Sequence, residues 1–179
     1  SDGKRIVSGA YDNNILLWDP ENGNILRQFQ GNTAQVKTVA ISPDGYSLLS
    51  GALDGSLRLW NVHSGAEIVR FSIDPPSADV TSGAMSADDL SIYYLEADGS
   101  VGVWDTLTGE KVRSFQVDDQ PLASFIFAPS GETAASVLAD KRLVLWDVAT
   151  GNLIQEMEIG DLVVMPTTLA LNADGSRLL

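Results

Sequence analysis

The chain has 179 residues, of which 44% are hydrophobic and 20% charged, the make-up of a folded globular chain and not of a disordered one. Acids outnumber bases 24 to 11, the formal net charge is −13, and no Lys/Arg run exceeds two residues, which argues against nucleic acid or an anionic membrane as a direct ligand. There is no cysteine, so disulfides and thiolate metal sites are excluded, and no apolar run is long enough for a spanning helix; the chain reads as soluble, with the cytoplasm the favoured compartment.

One stretch recurs along the chain. It reads GAYDNNILLWD from Gly9, GALDGSLRLWN from Gly51, LEADGSVGVWD from Leu95 and VLADKRLVLWD from Val137. Each copy contains one of the protein's four tryptophans, Trp18, Trp60, Trp104 and Trp146, spaced by 42, 44 and 42 residues. Further landmarks keep constant offsets from the Trp. A turn ends 15 positions before it, at Gly3, Gly45, Asp89 and Gly131. An acid stands six before it, at Asp12, Asp54, Asp98 and Asp140. A glycine stands five after it (Gly23, Gly65, Gly109, Gly151) and a large apolar residue eleven after it (Phe29, Phe71, Phe115, Met157).

In chain order, the repeat divides the protein into units of approximately 1–30, 31–72, 73–116 and 117–158, with 159–179 starting another. The second unit is the clearest. Val36 to Ser42 alternates and is rich in β-branched residues, which predicts a strand. Pro43-Asp44-Gly45 is a turn, and Ser47 to Ala52 a second strand. Asp54-Gly55 predicts a two-residue hairpin of type I′. Leu57 to Val62 is a third strand, His63-Ser64-Gly65 another turn, and Ala66 to Ser72 a fourth strand whose Glu67 and Arg70 suit an outer edge. Each unit thus reads as a four-stranded antiparallel meander, and the fold class is all-β. Length varies only in the connection from one fourth strand to the next first strand, through Gln30 to Gln35, Ile73 to Asp79, Gln116 to Pro121 and Glu158 to Pro166. A constant scaffold with one variable loop class places function in those loops.

Four-stranded units of about 40–45 residues closing on Trp-Asp resemble WD repeats over essentially the whole chain. Trp18-Asp19, Trp104-Asp105 and Trp146-Asp147 carry the motif, and Trp60-Asn61 differs by one residue. The resemblance implies β-propeller blades around a central axis. It also implies a hydrogen-bonded set in each blade: the Trp, a Ser on the second strand (Ser8, Ser50, Ser136), the hairpin Asp, and a His from a Gly-His pair. Tyr94 stands at the Ser position of the third unit. The Gly-His is missing; Gly31-Asn32-Thr33 occupies its place in the second unit. The hairpin acids therefore have two readings: satisfied by turn N–H groups and hydroxyls, or left available to a basic ligand.

The two ends overlap in the repeat, since Asp2-Gly3-Lys4-Arg5-Ile6-Val7 aligns with Asp174-Gly175-Ser176-Arg177-Leu178-Leu179. The expectation is an open arc of about four blades belonging to a longer propeller, seven in all by resemblance, with the remaining blades as one partner. Leaving two blade faces unstacked forfeits burial comparable to a domain's net stability of about 5–15 kcal/mol.

Catalytic chemistry finds little purchase. The single histidine, His63, adjoins Ser64 in a tight turn with no orienting acid. Asp88-Asp89 and Asp118-Asp119 lack the spaced ligands of a calcium loop, and Gly99-Ser100-Val101-Gly102 precedes no helix, so it is no phosphate loop. No catalytic residue, metal ligand or cofactor is expected. By resemblance, the hairpins and the variable loops share one face that docks proteins or peptides. Its acids are Asp12, Asp54, Asp98 and Asp140 from the hairpins and Asp74, Asp79, Asp118, Asp119, Glu158 and Asp161 from the loops. Lys37, Lys141 and Arg142 are the bases near it, and Pro75-Pro76 and Leu162-Val163-Val164-Met165 add apolar contacts. The leading expectation is a non-catalytic scaffold that binds a basic peptide or protein segment; the alternative is a regulatory or sensor segment of a larger enzyme of kinase or protease type.

Overall fold

The computed structural model describes residues 4–72, 83–86, 88–95, 99–120, 122–128, 130–160 and 169. All regular structure among them is β. The first sheet holds β1 (Ile6–Gly9), β2 (Ile15–Trp18) and β3 (Ile25–Phe29). The second holds β4 (Val36–Ile41), β5 (Ser47–Ala52), β6 (Ser56–Asn61) and β7 (Glu67–Ser72). The third holds β8 (Gly83–Met85), β9 (Ser91–Leu95), β10 (Ser100–Asp105) and β11 (Lys111–Gln116). The fourth holds β12 (Leu122–Phe127), β13 (Thr133–Leu138), β14 (Arg142–Asp147) and β15 (Leu153–Glu158). Every pairing is antiparallel between chain neighbours, so each sheet is a meander. Among the described residues the first sheet has three strands. No described helix is long and apolar enough to cross a membrane.

The cores lie between sheets. Ile15, Leu17 and Phe29 of the first sheet pack on Leu48, Trp60 and Val62 of the second. Leu57, Leu59 and Phe71 of the second pack on Met85, Ile92 and Trp104 of the third. Val101 and Val103 of the third pack on Ala134, Trp146 and Val148 of the fourth. At each junction the outermost-strand Phe meets the next Trp edge to face, at 6.0, 6.2 and 5.6 Å between ring centres. Such pairs contribute about 0.5–1.5 kcal/mol beyond burial. This is why the apolar residue eleven after each Trp recurs: it serves the following sheet. The four sheets form an open arc, and their innermost strands border a groove of about 390 Å³ lined by Val39, Met85 and Phe127 among others.

The repeated Trp has a second role. Trp18, Trp60 and Trp146 each donate the indole N–H to the predicted serine: Ser8 at 2.8 Å, Ser50 at 2.8 Å and Ser136 at 3.1 Å. In the third sheet the buried Trp104 Nε1 has no acceptor among the described residues, and Tyr94 fills the serine's place. The residue after the Trp organises the turn beyond it. Asp105 Oδ1 accepts from the N–H groups of Leu107 (2.9 Å) and Thr108 (2.7 Å), and Asn61 Oδ1 from those of His63 (3.0 Å) and Ser64 (2.8 Å). Only an acceptor oxygen is needed, so Asn61 replaces Asp without structural consequence.

The hairpins differ from the two-residue type I′ prediction. Gly55 N–H donates to Ala52 O at 3.0 Å, and of the residues around this turn only Gly55 takes positive φ (76°). The turn is therefore centred on Leu53 and Asp54 and followed by one left-handed residue, the common three-residue hairpin pattern. The same bond recurs from Asn13 to Ala10 and from Lys141 to Leu138.

Candidate partner-binding face

The hairpin acids are placed by this turn. In each, one carboxylate oxygen accepts the main-chain N–H two residues on: Asn14 to Asp12 at 3.0 Å, Ser56 to Asp54 at 3.0 Å, and Arg142 to Asp140 at 3.2 Å. That bond accounts for the constant position of the acid. What differs among the units is the environment of the rest of the carboxylate.

Asp54 faces the loop between the first and second sheets. Thr33 Oγ1 donates to Asp54 Oδ2 at 2.5 Å, and Ser56 Oγ to Oδ1 at 2.6 Å. Thr33 thus contributes a donor from the Gly31-Asn32-Thr33 segment, where a Gly-His pair was expected. Burial pushes the Asp54 carboxyl up, but the Ser56 and Thr33 hydroxyls outweigh it and leave the group below the ordinary carboxylate range. Asp54 also feels Arg58, a buried mid-sheet guanidinium that pairs with Glu67.

Asp140 faces the loop between the third and fourth sheets, where Arg142 draws three carboxylates together. Its Nε donates to Asp140 at 2.6 Å, Nη2 to Asp118 at 3.0 Å and Nη1 to Glu156 at 3.2 Å. Hydrogen bonds to Asp140 and then Asp118 hold the guanidinium above its ordinary pKa. Burial pushes Asp118 up, but the Gln120 N–H, Asp119 and Arg142 outweigh it and leave the carboxyl low. Asp119, alongside, is exposed; besides Asp118 it faces Gln120 Nε2 at 3.5 Å. Asp12 is exposed and held low by hydrogen bonds from Asn14, and nearby Lys37 lies 5.3 Å from the ring centre of Tyr11.

Two hairpins meet a connecting loop: Asp54 through Thr33, and the Asp140 hairpin through the Arg142–Asp118 bond. Of the acids expected on one face, Asp12, Asp54, Asp118, Asp119 and Asp140 are among the described residues; Asp74, Asp79, Asp98 and Asp161 lie outside them. None of the described hairpin acids is bare. Of the two readings of these acids, satisfaction by turn N–H groups and hydroxyls describes Asp54, though through Ser56 and Thr33 and not Ser50. Asp140 is instead matched by an arginine. The roles of Thr33, Arg142 and Glu156 escaped the sequence reading. His63 sits in an exposed turn against the Tyr46 ring, 5.2 Å between centres. Among the described residues no group of three or more His, Cys, Asp or Glu side chains is arranged to hold a metal ion.

Stacked antiparallel meanders of three and four strands, packed through the repeated Trp, have the build of β-propeller blades. The WD domain, G-beta repeat family matches residues 1–19 and 23–61. That match lies within residues 1–61, and the four antiparallel sheets, one of three described strands and three of four, are consistent with WD-repeat propeller blades. WD repeats generally mediate protein–protein interaction, and domains built from them are typically non-catalytic. No curated protein sequence matches the chain.

Proposed function

We propose that the chain is a non-catalytic interaction module whose hairpin-and-loop face binds a basic segment of another protein. The observation that carries this reading is the Arg142 cluster. Four acids, Asp118, Asp119, Asp140 and Glu156, stand around one guanidinium, and three of them hydrogen-bond it. The face thus already grips one arginine from within the chain, and the surplus negative charge favours a second cation from outside. Asp12 and Asp119, exposed and engaged only by neighbouring residues, are the side chains best placed to meet it. The overall charge of −13 acts in the same direction at longer range by steering a cationic partner.

The test is a titration with an arginine-rich peptide, followed by fluorescence anisotropy over a series of salt concentrations. Reversing charge at Asp12 and Asp119 together is expected to weaken binding and flatten its salt dependence. Affinity and salt slope indifferent to both reversals would refute an acidic binding face.

A further inference from the structure

We propose that the turns of the second and third sheets, at the end away from the hairpins, dock a segment of another protein that carries two apolar side chains with a Lys or Arg between them. The inference does not rest on what the hairpin face binds. Its basis is a pair of positions that the repeat holds fixed. One is the residue 14 before each Trp: Lys4, Tyr46, Leu90 and Glu132. The other is the residue three after it: Glu21, His63, Leu107 and Ala149. A main-chain bond sets the two side by side. Val62 N–H donates to Tyr46 O at 2.8 Å, Thr106 N–H to Leu90 O at 3.1 Å and Val148 N–H to Glu132 O at 3.0 Å.

The repeat supplies its own controls. The first and fourth sheets hold Lys4 with Glu21 and Glu132 with Ala149 at these positions, so the turns form without large apolar side chains there. The second and third sheets instead hold Tyr46 with His63 and Leu90 with Leu107. Tyr46 is 59% exposed, Leu90 54% and Leu107 81%. The Tyr46 and His63 rings lie 5.2 Å apart, both at the surface. Single exposed apolar residues are ordinary, but pairs of them confined to two adjacent sheets mark a contact surface. Ser72 and Gly83, where the connection between these sheets leaves and returns, pair with Ser56 and Tyr94 at the hairpin end, away from the patch. Both sheets have a packed neighbour on either side, so the patch owes nothing to the ends of the chain.

The charge beside the two pairs selects the partner. Asp44 stands two residues before Tyr46, and Asp88 and Asp89 directly precede Leu90. Asp44 and Asp89 share a hydrogen bond, which brings the two turns together. The other donors to Asp44 and Asp88 are neutral. Asp44 accepts from the Ser42 hydroxyl at 2.6 Å and the Tyr46 N–H at 2.8 Å. Asp88 accepts from the Ser86 hydroxyl at 2.5 Å and the Leu90 N–H at 3.1 Å. Burial, then the charge of Asp44, pushes the Asp89 carboxyl up to about 6. Arg5 reaches this turn, but it donates to Gly45 O at 3.1 Å. Among the described residues no ion pair reaches the three acids. A cation between two apolar anchors answers both features of the patch, whereas an arginine-rich segment without apolar side chains answers only one.

The experiment selects peptides from a displayed random library on the full chain and measures each by fluorescence anisotropy. The expected binders carry two apolar side chains about a Lys or Arg. Tyr46→Gln and Leu107→Ala bring in side chains of the kind the fourth sheet already holds, so both variants should fold, which circular dichroism checks. Each should weaken those binders by about tenfold. Asp44→Asn with Asp88→Asn should flatten the salt dependence of binding. Reversing charge at Asp12 and Asp119 should leave it unchanged, which separates this site from the hairpin face. In the unsubstituted chain, the amide shifts that such a peptide induces should fall at Tyr46, His63, Leu90 and Leu107. A library that yields no binder, binders lost only on the Asp12 and Asp119 reversal, or binders indifferent to Tyr46→Gln and Leu107→Ala would each overturn the inference.

Discussion

Ser50→Ala isolates the contact on which the repeat is built. Ser50 is wholly buried, Trp60 nearly so, and the hydroxyl accepts the indole N–H at 2.8 Å. The substitution removes one oxygen and leaves the N–H without an acceptor in a core that water does not reach. An orphaned buried donor costs about 1–3 kcal/mol, and the small volume lost adds little. For a chain of this size that corresponds to roughly 2–4 °C of melting temperature per kcal/mol. Ser136→Ala should cost about the same, since Ser136 and Trp146 are equally buried. Ser8→Ala should cost under about 1 kcal/mol, because Trp18 is half-buried and water can replace the hydroxyl. Urea unfolding followed by tryptophan fluorescence measures all three. Equal costs at Ser8 and Ser50, or a Ser50→Ala protein as stable as the parent, would show that the bond does not hold the sheets as argued.

Trp104→Phe should destabilise less than Trp60→Phe, because Trp104 Nε1 lacks an acceptor while the second change also strands the Ser50 hydroxyl; paired urea curves decide this. Thr33→Val should cost about 1 kcal/mol and raise the Asp54 pKa towards its ordinary value, read by carboxyl NMR titration. Asp89 makes stability depend on pH in an unusual direction. Burial, then the charge of Asp44 from the neighbouring sheet, raises its pKa from 3.8 to about 6. The folded state therefore holds a proton that the unfolded state releases, and this contribution is full below about pH 4 and lost as pH rises through about 6. Asp89→Asn, at a left-handed position (φ 59°) that Asn tolerates, should raise the melting temperature more at pH 7 than at pH 4.5. Asp44, Asp54, Asp88 and Asp118 are shifted the other way, so acid below about pH 4 should destabilise both proteins.

Much of the fold was legible because the repeat reports it several times over. Strand limits in the second unit agree with the sequence reading to within one residue at each end: Val36–Ile41, Ser47–Ala52, Ser56–Asn61 and Glu67–Ser72. The serine partners of Trp18, Trp60 and Trp146 were implied by the WD-repeat resemblance, and strand pairing sets Ser8, Ser50 and Ser136 within reach of each indole. The hairpin type was misread because Asp54-Gly55 alone suits type I′. Lys141 at the equivalent position argues otherwise, since two successive left-handed residues are costly outside Gly, Asn and Asp. The Arg142 cluster was not legible. Asp140 lies two residues before Arg142, but Asp118 and Glu156 come from 24 residues before and 14 after, on a loop and an outer strand, and no local pattern joins them. Thr33 was half-legible: its segment was placed correctly, but an absent histidine does not announce that a hydroxyl has taken over.

The most direct test of the account is to map where a basic ligand lands. In an NMR titration of the full chain with an arginine-rich peptide, the largest amide shifts should fall in the hairpins at Asp12, Asp54 and Asp140 and the loop at Asp118-Asp119. Shifts concentrated on the opposite turns, around Asp44, Asp88 and Gly65, would contradict it.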